Sequence, residues 1–251
     1  MNYEQELLRE RLGSRLHFYP EIGSTNDEAF KLAEEGVSSG AIILAERQLA
    51  GRGRRGSDWF CGEESGLAFS LMLRPSFKRA LWPRLSLVAG LAVARSIETA
   101  GLFPEVKWPN DVLIAGRKVA GILVEAKEDC VVVGIGLNVG KEELPESLQE
   151  IATTLASEGG SEKSREDYIE SIVKELEWMQ NRVAKGFPEI IAEVRSRCAL
   201  SEKRISFVVG QEEKIGLCKG IDEGGELLVL ENGVVKRYAT AEQIRVEAEC
   251  F

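Results

Sequence analysis

The chain has 251 residues, 44% of them hydrophobic, which is enough for a sizeable core in one large domain or two unequal ones. Its formal net charge of −9 disfavours a global attraction to nucleic acid or a membrane surface, since both are themselves negative. The five cysteines form no Cys-x-x-Cys pair, so neither a zinc site nor a disulfide framework is indicated, and His17 is the only histidine available for metal or triad chemistry.

Residues 1–6 are acidic and lack the apolar core of a signal sequence, and no apolar run reaches transmembrane length. The expectation is a cytoplasmic protein. Residues 16–19 form a short first strand, stopped by Pro20. Ser24-Thr25-Asn26 then opens a helix, with Thr25 and Glu28 in capping-box spacing. These three side chains either cap the helix or bind the polar head of a ligand at its N-terminus. Apolar residues 41–45 and 67–73 read as two buried strands.

The loop between those strands, Gly51-Arg52-Gly53-Arg54-Arg55-Gly56, packs three glycines and three arginines into six positions. Glycine lets backbone N–H groups face a ligand, and arginine offers a planar fork of donors to a carboxylate or phosphate. The combination predicts a mobile loop that closes over a small anion. The spacing also fits Gly-x-Gly-x-x-Gly, yet no helix opens here and no acid follows near residues 73–75, as a dinucleotide site requires.

Residues 85–98 form a buried central helix, ended by Gly101. Pro109 makes the stretch 106–111 an edge or a bend. Ala115-Gly116-Arg117 is a hairpin turn into strand 118–125, and strand 130–139 carries Gly134 and Gly136 as points of close approach. Two helical patterns follow, 164–185 and 188–197. From Lys203 the texture changes to four short strands, with Asn232-Gly233 as a type I′ hairpin signal. A small β-barrel with a boundary near Ala199-Leu200 is expected.

Five blocks now stand in one order: Ser24-Thr25-Asn26, Gln48-x-x-Gly-Arg-Gly-Arg-Arg-Gly56 with Trp59, Lys107-Trp-Pro-Asn-Asp111, Lys118-x-x-Gly-Ile-Leu-Val-Glu125 and Gly134-Ile-Gly-Leu-Asn138. The set resembles the biotin protein ligases from about residue 15 to the C-terminus. The resemblance implies an α+β fold, a mixed, largely antiparallel sheet packed on helices, followed by a small C-terminal SH3-like barrel. It divides the chain into a catalytic domain, 1–199, and the barrel, 200–251. It also implies a reaction in which biotin and Mg-ATP give biotinyl-5′-AMP, whose acyl group passes to one lysine of a biotin carboxyl carrier protein.

Site roles follow from the same resemblance. Ser24, Thr25, Asn26 and Gln48 belong to the biotin pocket. Arg52, Gly53 and Arg54 form the loop over biotin and the adenylate phosphate. Lys118 stands at the biotin carboxylate and α-phosphate, with Gly121 permitting close approach. Lys107, Asn110 and Asp111 handle ATP phosphates, Asp111 being the residue for Mg²⁺, and Asn138 faces the nucleotide. Trp59 and Trp108 are aromatic walls or ordinary core. A homodimer through sheet edges is compatible with the family. Only residues 1–14 precede the first strand, too few for a helix-turn-helix domain, so ligase activity without DNA binding is expected. A lipoate or octanoyl ligase is the nearest enzymatic alternative, and a biotin-sensing module without catalysis is the non-enzymatic one. The ureido-matching Ser-Thr-Asn set argues against the first, and the cations Arg54, Lys107 and Lys118 against the second.

Overall fold

The computed structural model describes residues 5–59, 66–140, 144–161 and 163–247. Cys61 and Cys250 lie outside the described residues. A seven-stranded sheet has the order β1-β2-β3-β7-β6-β5-β4, formed by Leu16–Ile22 (β1), Ile42–Gln48 (β2), Gly66–Leu73 (β3), Glu105–Lys107 (β4), Asp111–Ile114 (β5), Arg117–Lys127 (β6) and Cys130–Asn138 (β7). Only β1 and β2 run parallel, and all other neighbours are antiparallel. The mixed, largely antiparallel sheet is therefore as expected. Strand β1 continues through Pro20, where the sequence suggested a stop. It is an edge strand, so a residue without an N–H can stand with that side free of a ladder.

Strands β3 and β7 are buried at every position, because helices cover both faces of the sheet. On one face lies Arg84–Glu98 (α3), with Arg165–Gln180 (α4) and Phe187–Ser196 (α5) beyond it. Odd-numbered residues of both strands, among them Phe69, Leu71, Val133 and Ile135, face this side and join the main core. The opposite face carries Thr25–Glu34 (α2) over a small cluster of Ala29, Leu32, Ile43, Met72 and Val132. Helix α2 is short, and the sheet beyond its N-terminus is left for the cleft described below.

Helix Gln5–Leu12 (α1) has no counterpart in the sequence reading. Its apolar signal is Leu7, Leu8 and Leu12, of which Leu8 and Leu12, one turn apart, are buried in the main core. Helix α4 is capped by Ser164, whose hydroxyl accepts from the Asp167 N–H while the Asp167 carboxylate accepts from the Ser164 N–H.

The second sheet has the order β11-β10-β9-β8-β12, from Arg204–Val209 (β8), Glu212–Ile221 (β9), Leu227–Glu231 (β10), Val234–Tyr238 (β11) and Glu242–Val246 (β12). Asn232 and Gly233 both take positive φ, 49° and 81°, as a type I′ hairpin needs. The sequence showed four of these strands. The fifth, β12, is polar and partly exposed at most positions, so its pattern was silent. The sheet is consistent with an SH3-like fold, but its strand order stays open where a closed barrel was expected. Phe207, Ile221, Leu227 and Val229 belong to the same core as α3, and the Trp108 indole N–H donates to the Gly225 carbonyl at 2.9 Å. Trp108 is thus a buried post between the two sheets.

Leu91 is fully buried at the middle of α3. Leu91→Ala should lower the unfolding free energy by about 2–5 kcal/mol in urea titration, the usual cost of lost contact and residual cavity.

Candidate active site

A cavity of about 540 Å³ opens on the α2 face of the sheet. Its floor is made where side chains are missing. Gly121 of β6 pairs with Gly136 of β7, and Gly134 lies two residues along the same strand. A methyl group on Gly136 would meet the Trp59 ring at 2.1 Å, and one on Gly134 would meet Asn26 Oδ1 at 2.4 Å. A methyl on Gly121 would meet both Trp59, at 2.9 Å, and Lys118 Nζ, at 3.1 Å. The three glycines let an indole, an amide and an ammonium lie directly on the backbone.

One end of the cleft is a neutral polar network. Ser24 is the N-cap residue of α2 but makes no side-chain cap bond. Thr25 and Asn26 are buried and turned into the cleft. The Thr25 N–H donates to Gln48 Oε1 at 2.8 Å, with the Thr25 hydroxyl 3.1 Å from the same oxygen. Ser70 Oγ lies 2.7 Å from Thr25 Oγ1 and donates to Asn26 Oδ1 at 2.6 Å. Asn26 Nδ2 donates to Glu125 Oε2 at 2.7 Å. The capping box suggested by Thr25 and Glu28 does not form. Glu28 accepts instead from the Tyr19 hydroxyl, at 2.9 Å.

The other end is cationic. Lys118 Nζ pairs with Asp111 Oδ1 at 2.7 Å and stands 5.4 Å above the Trp59 ring. The Lys118 backbone is fixed by an N–H bond to the Ile151 carbonyl and by the Thr153 N–H. Arg54 reaches across to Asn110 Oδ1 at 3.4 Å, while Asn110 is anchored on the Ile122 backbone. Burial lowers the Arg54 pKa from its ordinary value, opposed by the negative charges of Glu242 and Asp111. Burial likewise pushes the Lys107 ammonium below its ordinary range, with Asp111 opposing and Lys118 and Arg245 adding to the shift.

The arginine loop folds back on itself. The Trp59 N–H donates to the Gly51 carbonyl at 2.9 Å, the Gly53 N–H to that of Ser57 at 2.6 Å, and Arg52 bridges Asp58 in β fashion. The Arg52 guanidinium forks onto both oxygens of Asp27, at 2.6 and 2.7 Å. That pair raises the Arg52 pKa and holds the Asp27 carboxyl below its usual range. Arg55 pairs with Glu242 of the second sheet.

Of the residues singled out in the sequence, Ser24, Thr25, Asn26, Gln48, Arg52, Gly53, Arg54, Asn110, Asp111, Lys118 and Gly121 all line this cavity. Lys107 stands behind it, paired in register with Asp111 across the β4–β5 hairpin. Asn138 is buried and donates to the Thr153 carbonyl at 3.0 Å, holding the following segment onto β7. Trp59 is a wall of the cleft. The sequence reading gave no role to Asp27, Ser70, Glu242 or Gln243. Ser70 was visible as the one polar residue in the apolar run 67–73. Glu242 and Gln243 line the cavity from the polar strand that was not recognised.

Residues 19–139 match the Biotin/lipoate A/B protein ligase family. The bifunctional ligase/repressor BirA of Bacillus subtilis is 34% identical over 245 residues, covering 94% of this chain and 75% of that protein. The biotin–[acetyl-CoA-carboxylase] ligase of Mycobacterium tuberculosis is 33% identical over 220 residues, covering 85% of this chain and 82% of that one. The structure of the biotin protein ligase from Aquifex aeolicus in complex with biotin and ATP is similar with a TM-score of 0.84 at 32% identity, covering 93% of this chain and 100% of that chain.

Gly136→Ala should lift the Trp59 indole off the sheet. The measurement is tryptophan emission. A red shift is expected in Gly136→Ala, and it should vanish when the same change is made in a Trp59→Phe background.

Proposed function

The chain belongs to the biotin protein ligases, and we propose that the two ends of its cleft divide the reaction between them. The protein is an ATP-dependent ligase that activates biotin as biotinyl-5′-AMP and transfers it to a carboxylase carrier. In our reading the neutral network of Ser24, Thr25, Asn26 and Gln48 takes the bicyclic ring, whose urea offers both N–H donors and a carbonyl acceptor. The valeryl chain runs over the glycine floor beside Trp59, and its carboxylate reaches Lys118.

In the first step a carboxylate oxygen attacks the α-phosphorus of ATP. The bond to the bridging oxygen breaks and pyrophosphate leaves. Negative charge accumulates on the phosphoryl oxygens, and Lys118 and Arg54, which line this end of the cleft, offset it as it develops. In the second step a carrier lysine, as the free amine, attacks the acyl carbon. The C–O bond to AMP breaks, and the amine proton passes to solvent. Neither step uses a nucleophile of the enzyme, in keeping with a cleft that, among the described residues, is lined by no histidine or cysteine.

Mg²⁺ fits this donor set in one way only. Among the described residues there is no group of three His, Cys, Asp or Glu that could cage a metal. Asp111, with the Asn110 amide oxygen, offers the one or two protein oxygens that accompany a phosphate-borne Mg²⁺. Such an ion would neutralise phosphate charge.

The observation that carries this reading is the Lys118–Asp111 pair beside Arg54, since biotin binding alone needs no phosphate-directed cations. Lys118→Ala should slow adenylate formation by about 10²–10³-fold in a single-turnover assay, the scale for losing one transition-state donor. A rate within about twofold of wild type contradicts the assignment. Lys107 adds a pH signature. Its charged form is the active one and its pKa is lowered, so activity should fall on the alkaline side below the ordinary lysine value of about 10.4. Lys107→Arg should move that limb upward in the pH–rate profile.

Arg54 retains the intermediate. Its loop must stay ordered at a backbone cost of about 1–2 kcal/mol per residue, offset by contacts to the bound phosphate. Arg54→Gly should release the adenylate faster, since a charge-assisted contact is worth about 1.5–3 kcal/mol. The free mixed anhydride would then acylate exposed lysines of bystander albumin. Streptavidin blots at equal adenylation turnover should show more albumin labelling by the variant. Equal, low labelling contradicts the role.

A further inference from the structure

Glu125 closes the Lys118-x-x-Gly-Ile-Leu-Val-Glu125 block, and the mechanism above makes no use of it. It lies on β6, next to the cleft but outside its lining. We propose that Glu125 is a positioning residue that sets the direction of the hydrogen bonds linking Asn26, Ser70 and Thr25, and so makes Thr25 Oγ1 an acceptor for a ligand N–H. The proposal rests on the reading that this end holds the biotin urea.

The direction of each bond follows from the protons available. An ionised carboxylate only accepts, so the Asn26 amide must turn Nδ2 toward Glu125 Oε2, at 2.7 Å. The Leu123 carbonyl, 3.4 Å from the same nitrogen, favours the same orientation more weakly. Asn26 Oδ1 then faces Ser70 Oγ at 2.6 Å and must receive the single Ser70 hydroxyl proton. With that proton used, the 2.7 Å contact between Ser70 and Thr25 can be bridged only by the Thr25 hydroxyl proton. Thr25 Oγ1 is left with lone pairs only, and its longer 3.1 Å approach to Gln48 Oε1 then carries no proton. The Gln48 oxygen is held meanwhile by the Thr25 N–H, at 2.8 Å. Turn Asn26 over, and Nδ2 donates to Ser70, Ser70 donates to Thr25, and the Thr25 proton points at Gln48 or the ligand.

The floor is rigid enough to transmit this choice. Ser70 is fully buried and faces Gly134 across the β3–β7 ladder, and Asn26 lies directly on Gly134. Glu125 is free for the task because Asp27 carries the fork onto Arg52. The Arg52–Glu125 contact is longer, at 3.5 Å.

Glu125→Ala removes the residue that compels the amide orientation while leaving a part-exposed strand position that tolerates the change. Its KM for biotin should rise about tenfold, the scale of one misdirected hydrogen bond, with the KM for ATP within about twofold of wild type. Glu125→Gln, which can still present an oxygen to Asn26, should fall between the two. In a Ser70→Ala background the relay is already cut, so adding Glu125→Ala should raise the biotin KM by less than about twofold. An unchanged biotin KM in Glu125→Ala, or the same tenfold rise in both backgrounds, overturns the proposal. Failure of the wild-type protein to turn over biotin would instead overturn the underlying reading, before any variant is compared.

Discussion

Everything in the cleft rests on bare backbone at Gly121, Gly134 and Gly136. These positions sit side by side on the two strands at the middle of the sheet. Elsewhere on those strands, side chains fill the space between sheet and helix. Here Asn26, Trp59 and Lys118 fill it, reaching in from three different segments of the chain. The cost of glycine inside a strand, about 0.5–1 kcal/mol relative to alanine, falls twice on β7, which is buried at every position, and once on the partly exposed β6.

The cleft's electrostatics follow the same separation. Three of its cations arrive already countered, Lys118 by Asp111, Arg52 by Asp27 and Arg55 by Glu242, while Arg54 hydrogen-bonds the neutral Asn110 amide. A ligand phosphate that engages Lys118 therefore takes the place of Asp111 as its partner. Such pairing keeps a cation-rich site compatible with a chain of net charge −9. Among the described residues no helix is long and apolar enough to cross a membrane.

Much of the fold was legible because its signals are local. The buried strands 42–48 and 66–73, helix α3 and the Asn232-Gly233 hairpin each declare themselves by periodicity or turn chemistry. Helix α1 and strand β12 did not, because their burial is decided by distant partners. The candidate site was legible as motifs, since glycine, arginine and lysine in those blocks have few structural uses in common. What the motifs could not show is which polar groups touch. Thr25 and Glu28 carry a capping-box spacing, yet tertiary contacts to Gln48 and Tyr19 win over it. Asp27 and Ser70 acquire roles only when helix α2, the loop and β3 meet.

The central claim is that a neutral ring-binding end and a cationic phosphate end serve one substrate together. Exchange of labelled pyrophosphate into ATP by the wild-type protein, supplied with biotin, with lipoate or with neither, tests it directly. The account predicts exchange with biotin and only background with lipoate or with neither. Exchange driven equally by lipoate, or none with biotin, would contradict it.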